Sequence, residues 1–224
     1  MRSLGPSNPV GEARYTRIVT AALEVFSKSS FGDATTDEIA RRARVSKRDL
    51  YAEFPDKHAL LAAVISTVLE SGDQNLQQVI SDSQKAPRSL RERLEIVGLA
   101  LMTEILSPLS GFVSRLVSSE SIEQPPIGAI YFENWYTRRS QLVAQVLAGS
   151  TQRAGRNGHT NGNGNGRPRK VDTRQAARHF VALITHLPQL TACVGKHEVW
   201  TPRSVQAHVR DAVDCLLKAY PALG

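Results

Sequence analysis

The chain is poor in the features that mark secreted, membrane-spanning and β-rich proteins. Its 224 residues include only two cysteines, Cys193 and Cys215, too few for a disulfide framework and typical of a reducing cytoplasm. Aromatic residues make up 6% of the chain, and runs of strand-favouring residues are scarce. The first residues, MRSLGPSNPVGEA, lack an apolar signal run, and no later stretch reaches the length of a membrane span. We therefore expect an all-α, cytoplasmic protein without a membrane partner.

The sequence also lacks motifs for catalysis or cofactor binding. It contains no Walker loop, no serine elbow and no histidine pair at zinc spacing. Cys193, His197, His179 and His186 could be imagined as metal ligands, but isolated histidines in apolar helices are more often core or surface residues. We predict that the protein is not an enzyme and has neither a cofactor nor a metal site.

Helical periodicity, in contrast, covers almost the whole chain. Apolar residues recur three and four positions apart, as on one face of a helix. The predicted helices are residues 12–29, a long helix from Lys57 to about Ile80, one opened by Pro87 that ends near Ser107, and residues 109–121 and 127–147. Two further helices begin after Asp172 or Thr173 and after Thr201, where Pro202 fits the first helical position.

The stretch Thr35–Leu61, TTDEIARRARVSKRDLYAEFPDKHALL, predicts two short helices that meet at a tight corner and a third helix start. Thr35 is an N-cap that forms a capping box with Glu38, and Ser46 is a second N-cap. Leu50 and Phe54 lie four residues apart and share a buried face. Arg48 and Ala52 point away from that face, so they are free to meet a groove.

Five basic residues lie close together in this stretch, and no acidic residue interrupts them in the sequence. They are Arg41, Arg42, Arg44, Lys47 and Arg48. Basic side chains that neutralise phosphates release counterions, and a few side chains on the second helix would then reach base edges. A run of arginines on a short helix can also be a solvated face, and the residues alone leave both interpretations open.

The order of residues here resembles the N-terminal domain of the TetR (tetracycline repressor) family of bacterial regulators. The matching positions are Thr35, Ile39, Ala40, Ala43, Val45, Ser46, Leu50, Tyr51, Phe54, Lys57 and Leu60, and the match covers about residues 12–61. By this resemblance Thr35, Ser46, Tyr51 and Lys57 would hold phosphates, and Lys47, Arg48 and Asp49 would approach bases. The full set of expected DNA-binding residues is Thr35, Thr36, Arg44, Ser46, Lys47, Arg48, Asp49, Tyr51 and Lys57.

Three residues depart from the family pattern. Arg44 stands at a corner where the family usually has glycine, so the corner is either built differently or strained. Arg48 replaces a second common glycine, and Glu53 stands where a tyrosine or histidine is usual. Because a carboxylate near phosphates is repulsive, we expect Glu53 either to pair with an arginine or to shift the protein on its site.

The sequence divides into a flexible arm at residues 1–11, a helix-turn-helix DNA-binding domain at 12–61 and a helical ligand-binding and dimerisation domain at 62–224. The long helix from Lys57 would join the two domains mechanically. Candidate ligand-binding residues on apolar stripes are Leu101, Met102, Ile105, Phe112, Arg115, Phe132, Trp135, Phe180 and Leu183. The resemblance also implies a homodimer through the last two helices.

Most of the net charge of +7 comes from one segment. Residues 153–174 carry six basic residues and one acidic residue. Residues 155–166, GRNGHTNGNGNG, contain five glycines and four asparagines and cannot build a packed core. We predict that residues 153–171 form a mobile basic loop, and extra phosphate contacts from this loop are the alternative.

The predicted function is that of a ligand-responsive, sequence-specific DNA-binding transcriptional regulator. It would repress transcription from a palindromic operator of double-stranded DNA until a small-molecule effector releases it. Two alternatives stay open. The protein could be a constitutive DNA-binding or architectural protein whose C-terminal domain only dimerises, or a small-molecule binding protein whose DNA-binding head has degenerated.

Overall fold

The computed structural model describes residues 9–85, 88–157, 171–194 and 199–223. Within these ranges every regular element is helical, as the sequence predicts. The α-helices are α1 (Pro9–Lys28), α2 (Thr36–Ala43), α3 (Lys47–Glu53), α4 (Lys57–Gln84), α5 (Leu90–Ile105), α6 (Pro108–Glu120), α7 (Pro125–Tyr131), α8 (Arg138–Asn157), α9 (Thr173–Cys193) and α10 (Pro202–Ala219). A π-helical segment, Phe132–Thr137, lies between α7 and α8, and a 3-10 helix, Pro221–Leu223, follows α10.

Several predicted boundaries are corrected. Helix α1 begins at Pro9, inside the predicted arm, and α8 continues to Asn157, inside the predicted loop. The rest of that arm and most of the predicted loop lie outside the described residues. Pro87, predicted to open α5, also lies outside them, and the observed N-cap of α5 is Ser89. Residues 127–147, predicted as one helix, are divided by the π-helical segment.

The chain divides into two compact units, Met1–Glu70 and Ser71–Gly224. The boundary falls within α4, whereas the sequence prediction places it after Leu61. Asp56 caps the start of α4, because its Oδ1 atom accepts a hydrogen bond from the backbone N–H of Ala59 at 2.7 Å. One continuous helix therefore contributes residues to both units.

The first unit is a helix-turn-helix domain with an apolar core. Ile18 and Phe26 of α1, Ile39 of α2, Leu50 of α3 and Leu61 of α4 are each at most 1% exposed. Burial of side chains of this size stabilises a fold by roughly 1.5–3 kcal/mol each. Because the buried residues come from all four helices, their packing fixes α2 and α3 against α1 and α4.

The two predicted N-caps of the helix-turn-helix are confirmed, but the capping box is only half formed. Thr35 Oγ1 accepts the backbone N–H of Glu38 at 3.2 Å, and Ser46 Oγ accepts that of Asp49 at 3.0 Å. The Glu38 carboxylate does not return to the N-cap backbone. It accepts hydrogen bonds from Arg41 Nε at 2.9 Å and Nη2 at 2.7 Å, because the charged guanidinium is the stronger donor.

The corner between α2 and α3 has the backbone conformation for which glycine is usual. Arg44 has φ 55° and ψ 47°, the left-handed region, and it is the only non-glycine residue with positive φ among those described. The N–H of Val45 bonds to the carbonyl of Ala40 at 3.1 Å, and the N–H of Arg44 bonds to that of Arg41 at 3.2 Å, as in a Schellman motif. The corner is therefore strained, which was one of the two predicted outcomes.

The second unit packs α5, α8, α9 and α10 around an apolar core. Its fully buried residues include Leu94, Leu101, Met102, Val143, Leu147, Phe180, Ile184 and Val213. Gly98 of α5 allows the close approach of two neighbouring helices, because a Cβ atom there would lie 2.7 Å from Val209 Cγ1 and 3.2 Å from Ile184 Cδ1. Asp172 caps α9 and Thr201 caps α10, as predicted.

The described helices can be compared with the length and apolarity of a membrane span. None of them is by itself long and apolar enough to cross a membrane. Helices α5 and α6, which are bent by 65° to each other, reach the required length and composition only when they are taken together.

Candidate nucleic-acid interface

Two contacts join the first turn of α2 to α3. Thr36 Oγ1 lies 3.1 Å from the hydroxyl oxygen of Tyr51, and Lys47 Nζ lies 2.6 Å from Asp37 Oδ1. Lys47 and Tyr51 are one turn apart on α3 and therefore share a side of that helix. Three predicted DNA-binding residues are thus brought together with Asp37, an acidic residue that the sequence prediction did not include.

The remaining predicted base-contacting residues differ in how free their side chains are. Arg48 is exposed, and its guanidinium has no ion pair within the described part of the chain. Asp49 accepts a hydrogen bond from Ser46 Oγ at 2.6 Å, and this bond holds the pKa of the Asp49 carboxyl below its ordinary value. Because the Ser46 hydroxyl hydrogen is used in this way, Ser46 would have to release Asp49 in order to donate to a phosphate.

Lys57 is already fully engaged in the first unit. Its ammonium group donates to the carbonyls of Phe31 at 2.6 Å, Gly32 at 3.2 Å and Ala34 at 3.0 Å. It also lies 4.5 Å from the centre of the Phe31 ring. An ammonium group has three donors, so its contact with a phosphate stays a prediction that requires exchange of one of these carbonyls.

The basic residues between Arg41 and Arg48 are less positive as a group than the sequence suggests. Glu38 pairs with both Arg41 and Arg42, Glu24 of α1 pairs with Arg42 at 3.0 Å, and Asp37 pairs with Lys47. Only Arg44 and Arg48 of the five lack an ion pair among the described residues. Glu38 on the same helix, and Glu24 and Asp37 on neighbouring helices, thus neutralise part of the cluster.

Glu53 pairs with an arginine, in agreement with one of the predicted outcomes. The partner is Arg14 of α1, whose Nη2 and Nε atoms lie 2.5 and 3.0 Å from Glu53 Oε1. The hydrogen bond to Glu53 raises the pKa of the Arg14 guanidinium. The arginine neutralises the carboxylate that would otherwise repel a phosphate, and it ties the end of α3 to α1.

The candidate ligand-binding residues of the second unit differ in how exposed their side chains are. Leu101, Met102, Ile105, Trp135 and Phe180 are buried, Phe112 is half-buried, and Arg115, Phe132 and Leu183 are exposed. Arg115 Nη1 lies 3.4 Å from the carbonyl of Ala192, which ties it to the end of α9. Leu183 lines an open groove along α9 and α10. The candidate residues therefore include both core positions, such as Leu101 and Phe180, and a surface position, Leu183, beside the groove.

A buried ion-pair cluster that the sequence prediction missed lies in the second unit. Arg139 of α8 is fully buried; its Nη1 atom lies 2.8 Å from Asp73 Oδ1, and its Nη2 and Nε atoms bond to Glu104. Arg138 Nε lies 2.7 Å from the other Asp73 oxygen. Gly72 leaves room for this cluster, because a Cβ atom there would lie 2.6 Å from both Arg139 Nη2 and Glu104 Oε1.

The π-helical segment Phe132–Thr137 places aromatic residues beside this cluster. Trp135 is 2% exposed, and its ring stacks on Tyr131 at 6.1 Å and lies 5.4 Å from the Arg139 guanidinium. The indole N–H of Trp135 has no hydrogen-bond acceptor among the described residues. Tyr131 contacts Ser114 Oγ at 3.1 Å and Gln189 Nε2 at 2.9 Å, and burial raises the pKa of its hydroxyl.

The groove along α9 and α10 is lined by His179, Ala182, Leu183, His186, Leu187, Cys215, Leu216, Ala219 and Tyr220. His179 Nδ1 lies 2.7 Å from the Tyr220 hydroxyl. No cluster of three metal-ligating side chains occurs in the described ranges, and His197, considered above as a ligand, lies outside them.

A helix-turn-helix with capped helices and an exposed basic side chain on the second helix defines a DNA-binding transcriptional regulator. Comparison with known proteins identifies its family. Residues 18–64 match the model of bacterial regulatory proteins of the tetR family, and residues 92–222 match that of the AefR-like transcriptional repressor C-terminal domain. The chain therefore belongs to the TetR family.

Curated relatives are similar over part of their length. The regulator SrpR of Pseudomonas putida is 30% identical over 131 residues, which is 58% of this chain and 58% of SrpR. The regulator EthR of Mycolicibacterium smegmatis is 25% identical over 91 residues, which is 40% of this chain and 42% of EthR. The chain thus spans about half the length of these two relatives.

Solved structures share the fold over nearly the whole chain. A TetR-family regulator from Mesorhizobium loti superposes with a TM-score of 0.79 at 18% identity, covering 92% of this chain and 96% of that one. The flavonoid-responsive regulator FrrA gives 0.67 at 23% identity over the same shares. FadR from Bacillus subtilis, in complex with stearoyl-CoA, gives 0.62 at 16% identity, covering 90% and 97%.

Proposed function

We propose that the protein is a ligand-responsive repressor. As a homodimer it binds a near-palindromic operator in a sequence-specific manner, and a small molecule that enters the second unit releases it. The observation that carries this proposal is the face formed by α2 and α3, where Thr36, Lys47 and Tyr51 are held together beside the exposed Arg48.

Sequence-specific binding requires contacts with enough bases to distinguish one site from other DNA. Helix α3 has only seven residues, so a single copy reaches only a short run of base pairs. Two copies on a two-fold axis double the contacts, and the operator half-sites are then separated by about 34 Å or a multiple of it. Thr35, Thr36, Ser46, Tyr51 and Lys57 are the proposed phosphate contacts, and Lys47, Arg48 and Asp49 are the proposed base contacts, with Arg44 beside them.

The exposed apolar side of α9 supports dimerisation. Leu183, Leu187 and Leu190 are 43%, 46% and 50% exposed, and the first two line the groove beside α10. Contiguous exposed apolar side chains of this kind mark an interaction surface. A second copy of the same two helices is the proposed occupant, in agreement with the family resemblance. Leu187→Glu should therefore give a monomer in light scattering and abolish operator binding.

The proposed effector site lies in the second unit, among Leu101, Met102, Ile105, Phe112, Arg115, Phe132, Trp135, Phe180 and Leu183. FrrA is described as flavonoid-responsive and FadR holds stearoyl-CoA, which supports small-molecule control on this fold without identifying the effector here. Helix α4, which contains residues of both units, would carry the response. The effector must bind the DNA-incompetent state more tightly, because otherwise it shifts no equilibrium.

The testing experiment is fluorescence anisotropy with duplexes tiled across the DNA upstream of the protein's own gene. Each tile is measured at low and near-physiological salt with unrelated DNA as competitor. We expect one tile to survive both salt and competitor, and compounds added to that complex should include one that lowers the anisotropy. Binding that is equal on all tiles and disappears with salt would contradict specific recognition of this DNA.

The alternative of a constitutive DNA-binding protein is favoured by the close packing at Gly98, where α5 leaves no room for a methyl group beside Val209 and Ile184. Under this alternative the second unit only dimerises. The discriminating measurement is thermal denaturation of the protein with the compound library, followed by anisotropy. A compound that raises the melting temperature and releases the operator would exclude the alternative.

A further inference from the structure

The ion pair between Asp37 and Lys47 lies in an unusual place for a carboxylate. Asp37 is the second residue of α2, Lys47 is the first of α3, and their side chains are 69% and 55% exposed. The adjacent contact between Thr36 and Tyr51 joins the same two helices. The pair therefore belongs to the face that the proposed function assigns to DNA, where a negative charge is repelled by phosphates.

Stability does not explain the pair. Exposed ion pairs contribute little to folding, because water screens the charges and ordering two side chains costs entropy. Asp37 also lies in the first turn of α2, where a carboxylate is favoured by the helix dipole, but Glu38 already occupies that turn. A role in binding would explain why the carboxylate is held beside the lysine.

The geometry of the pair matches one edge of a base pair. In the major groove a G·C pair presents guanine O6, an acceptor, next to the cytosine N4 donor, and these two atoms are a hydrogen bond apart, about 2.9 Å. The Lys47 donor and the Asp37 acceptor are 2.6 Å apart. A T·A pair offers the same order, but it places the thymine methyl group where guanine has N7, so Lys47 loses a second acceptor.

We propose that Asp37 is a base-contacting residue that acts with Lys47 as one unit on a G·C pair in each operator half-site. Lys47 donates to guanine O6 and N7, and Asp37 accepts from cytosine N4. The proposal rests on the proposed function, since it requires specific binding of DNA. Asp37 thereby joins Lys47, Arg48 and Asp49 as a residue of this face that contacts bases.

The test is selection of the full-length protein on duplexes with a randomised half-site, at near-physiological salt. The variants are Asp37→Ala, Asp37→Asn, Lys47→Ala and the double alanine variant, and Glu12→Gln is the control that removes one exposed negative charge elsewhere in the first unit. We expect the wild type and the control to select G·C at one position. Discrimination there should fall by roughly tenfold in Asp37→Ala and in Lys47→Ala and no further in the double variant. The loss should be smaller in Asp37→Asn, because its amide oxygen still accepts from cytosine N4.

Two outcomes overturn the proposal. If Asp37→Ala and the Glu12→Gln control change binding to all sequences equally, Asp37 acts only through charge. If the wild type selects A·T or T·A at the position where Lys47→Ala loses discrimination, the assigned base pair is wrong. A wild-type protein that selects no sequence would instead refute the proposed function, and the proposal with it. Melting curves of all variants verify folding, and Asp37→Asn preserves the side-chain shape.

Discussion

The ion pairs on the surface of the helix-turn-helix and the Arg139 cluster of the second unit are placed in opposite ways. In the first unit Asp37, Lys47, Arg41 and Glu38 pair on the surface of the helix-turn-helix. In the second unit Arg139 is fully buried between two carboxylates. Exposed pairs contribute little to stability, whereas a buried pair that loses one member leaves an uncompensated charge. The first arrangement is therefore available for binding, and the second is a requirement of the fold.

Removal of the buried guanidinium should have the largest effect. Arg139→Ala leaves Asp73 and Glu104 without their shared partner and should lower the free energy of unfolding by roughly 3–5 kcal/mol. Arg138→Ala is the matched control, because Arg138 binds the same Asp73 carboxylate but its side chain is 54% exposed. Urea denaturation should show a much smaller loss for the control. Equal losses would contradict the difference that we draw between buried and exposed pairs.

Filling the space beside the cluster should have the next largest effect. Gly72→Ala would force Arg139 and Glu104 apart, and such overpacking costs about 1–3 kcal/mol, even though alanine favours a helix more than glycine does by about 1 kcal/mol. Gly149→Ala in α8 is the control, because among the described residues no atom outside the neighbouring backbone of its own helix lies within 4 Å of its Cβ position. Thermal denaturation should show a loss for Gly72→Ala and a gain for Gly149→Ala. A gain in thermal stability for both variants would mean that Arg139 and Glu104 rearrange around the added methyl group without destabilising the fold.

Relief of the strained corner should have a smaller effect of opposite sign. Arg44 adopts a left-handed conformation, which costs a non-glycine residue about 1–2 kcal/mol. Glycine adopts it without this cost, so Arg44→Gly should stabilise the fold, although the greater freedom of glycine in the unfolded chain offsets part of the gain. Arg44→Ala keeps the strain and removes only the charge. Urea denaturation should therefore show stabilisation by Arg44→Gly alone. If Arg44 contacts a phosphate, both variants should lower the salt dependence of DNA binding by about one counterion.

The smallest effect on stability is expected at the exposed pair. Asp37→Asn and Lys47→Ala should leave the melting temperature within about 2 °C of the wild type, because solvent screens their interaction. The same variants should change base discrimination, as proposed above. A large loss of stability in either variant would show that the pair is structural, and the comparison of the two units would then fail for this part of the first unit.

Local patterns predicted most of the helices and several of their caps. Thr35, Ser46, Asp172 and Thr201 all cap helices, because a cap depends on residues only two or three positions away. The contacts of the candidate DNA-binding face were not predictable in this way. The pairs of Asp37 with Lys47 and of Glu53 with Arg14 join different helices, so they depend on packing that periodicity does not specify.

The buried cluster did leave a signal in the sequence. Asp73 lies on the stripe formed by Ile65, Leu69, Leu76 and Ile80, and Arg139 lies on the stripe formed by Trp135, Leu142 and Val146. A charged residue at a position that periodicity assigns to the core needs a partner of opposite charge. Two such positions of opposite charge could have been paired before the structure was known. Glu104 gave a weaker signal, because it lies beside the apolar stripe of α5.

The π-helical segment has a consequence for the comparison of this chain with its relatives. A π turn bonds residue i to i+5 and so holds one residue more than the α-helical turn it replaces. The helical wheel of α8 is thereby rotated by about 100° relative to that of α7. Family members without this turn should align with the chain only if a one-residue gap is opened between Phe132 and Thr137. The segment would then mark the insertion of one residue, which the helix accommodates as a π turn.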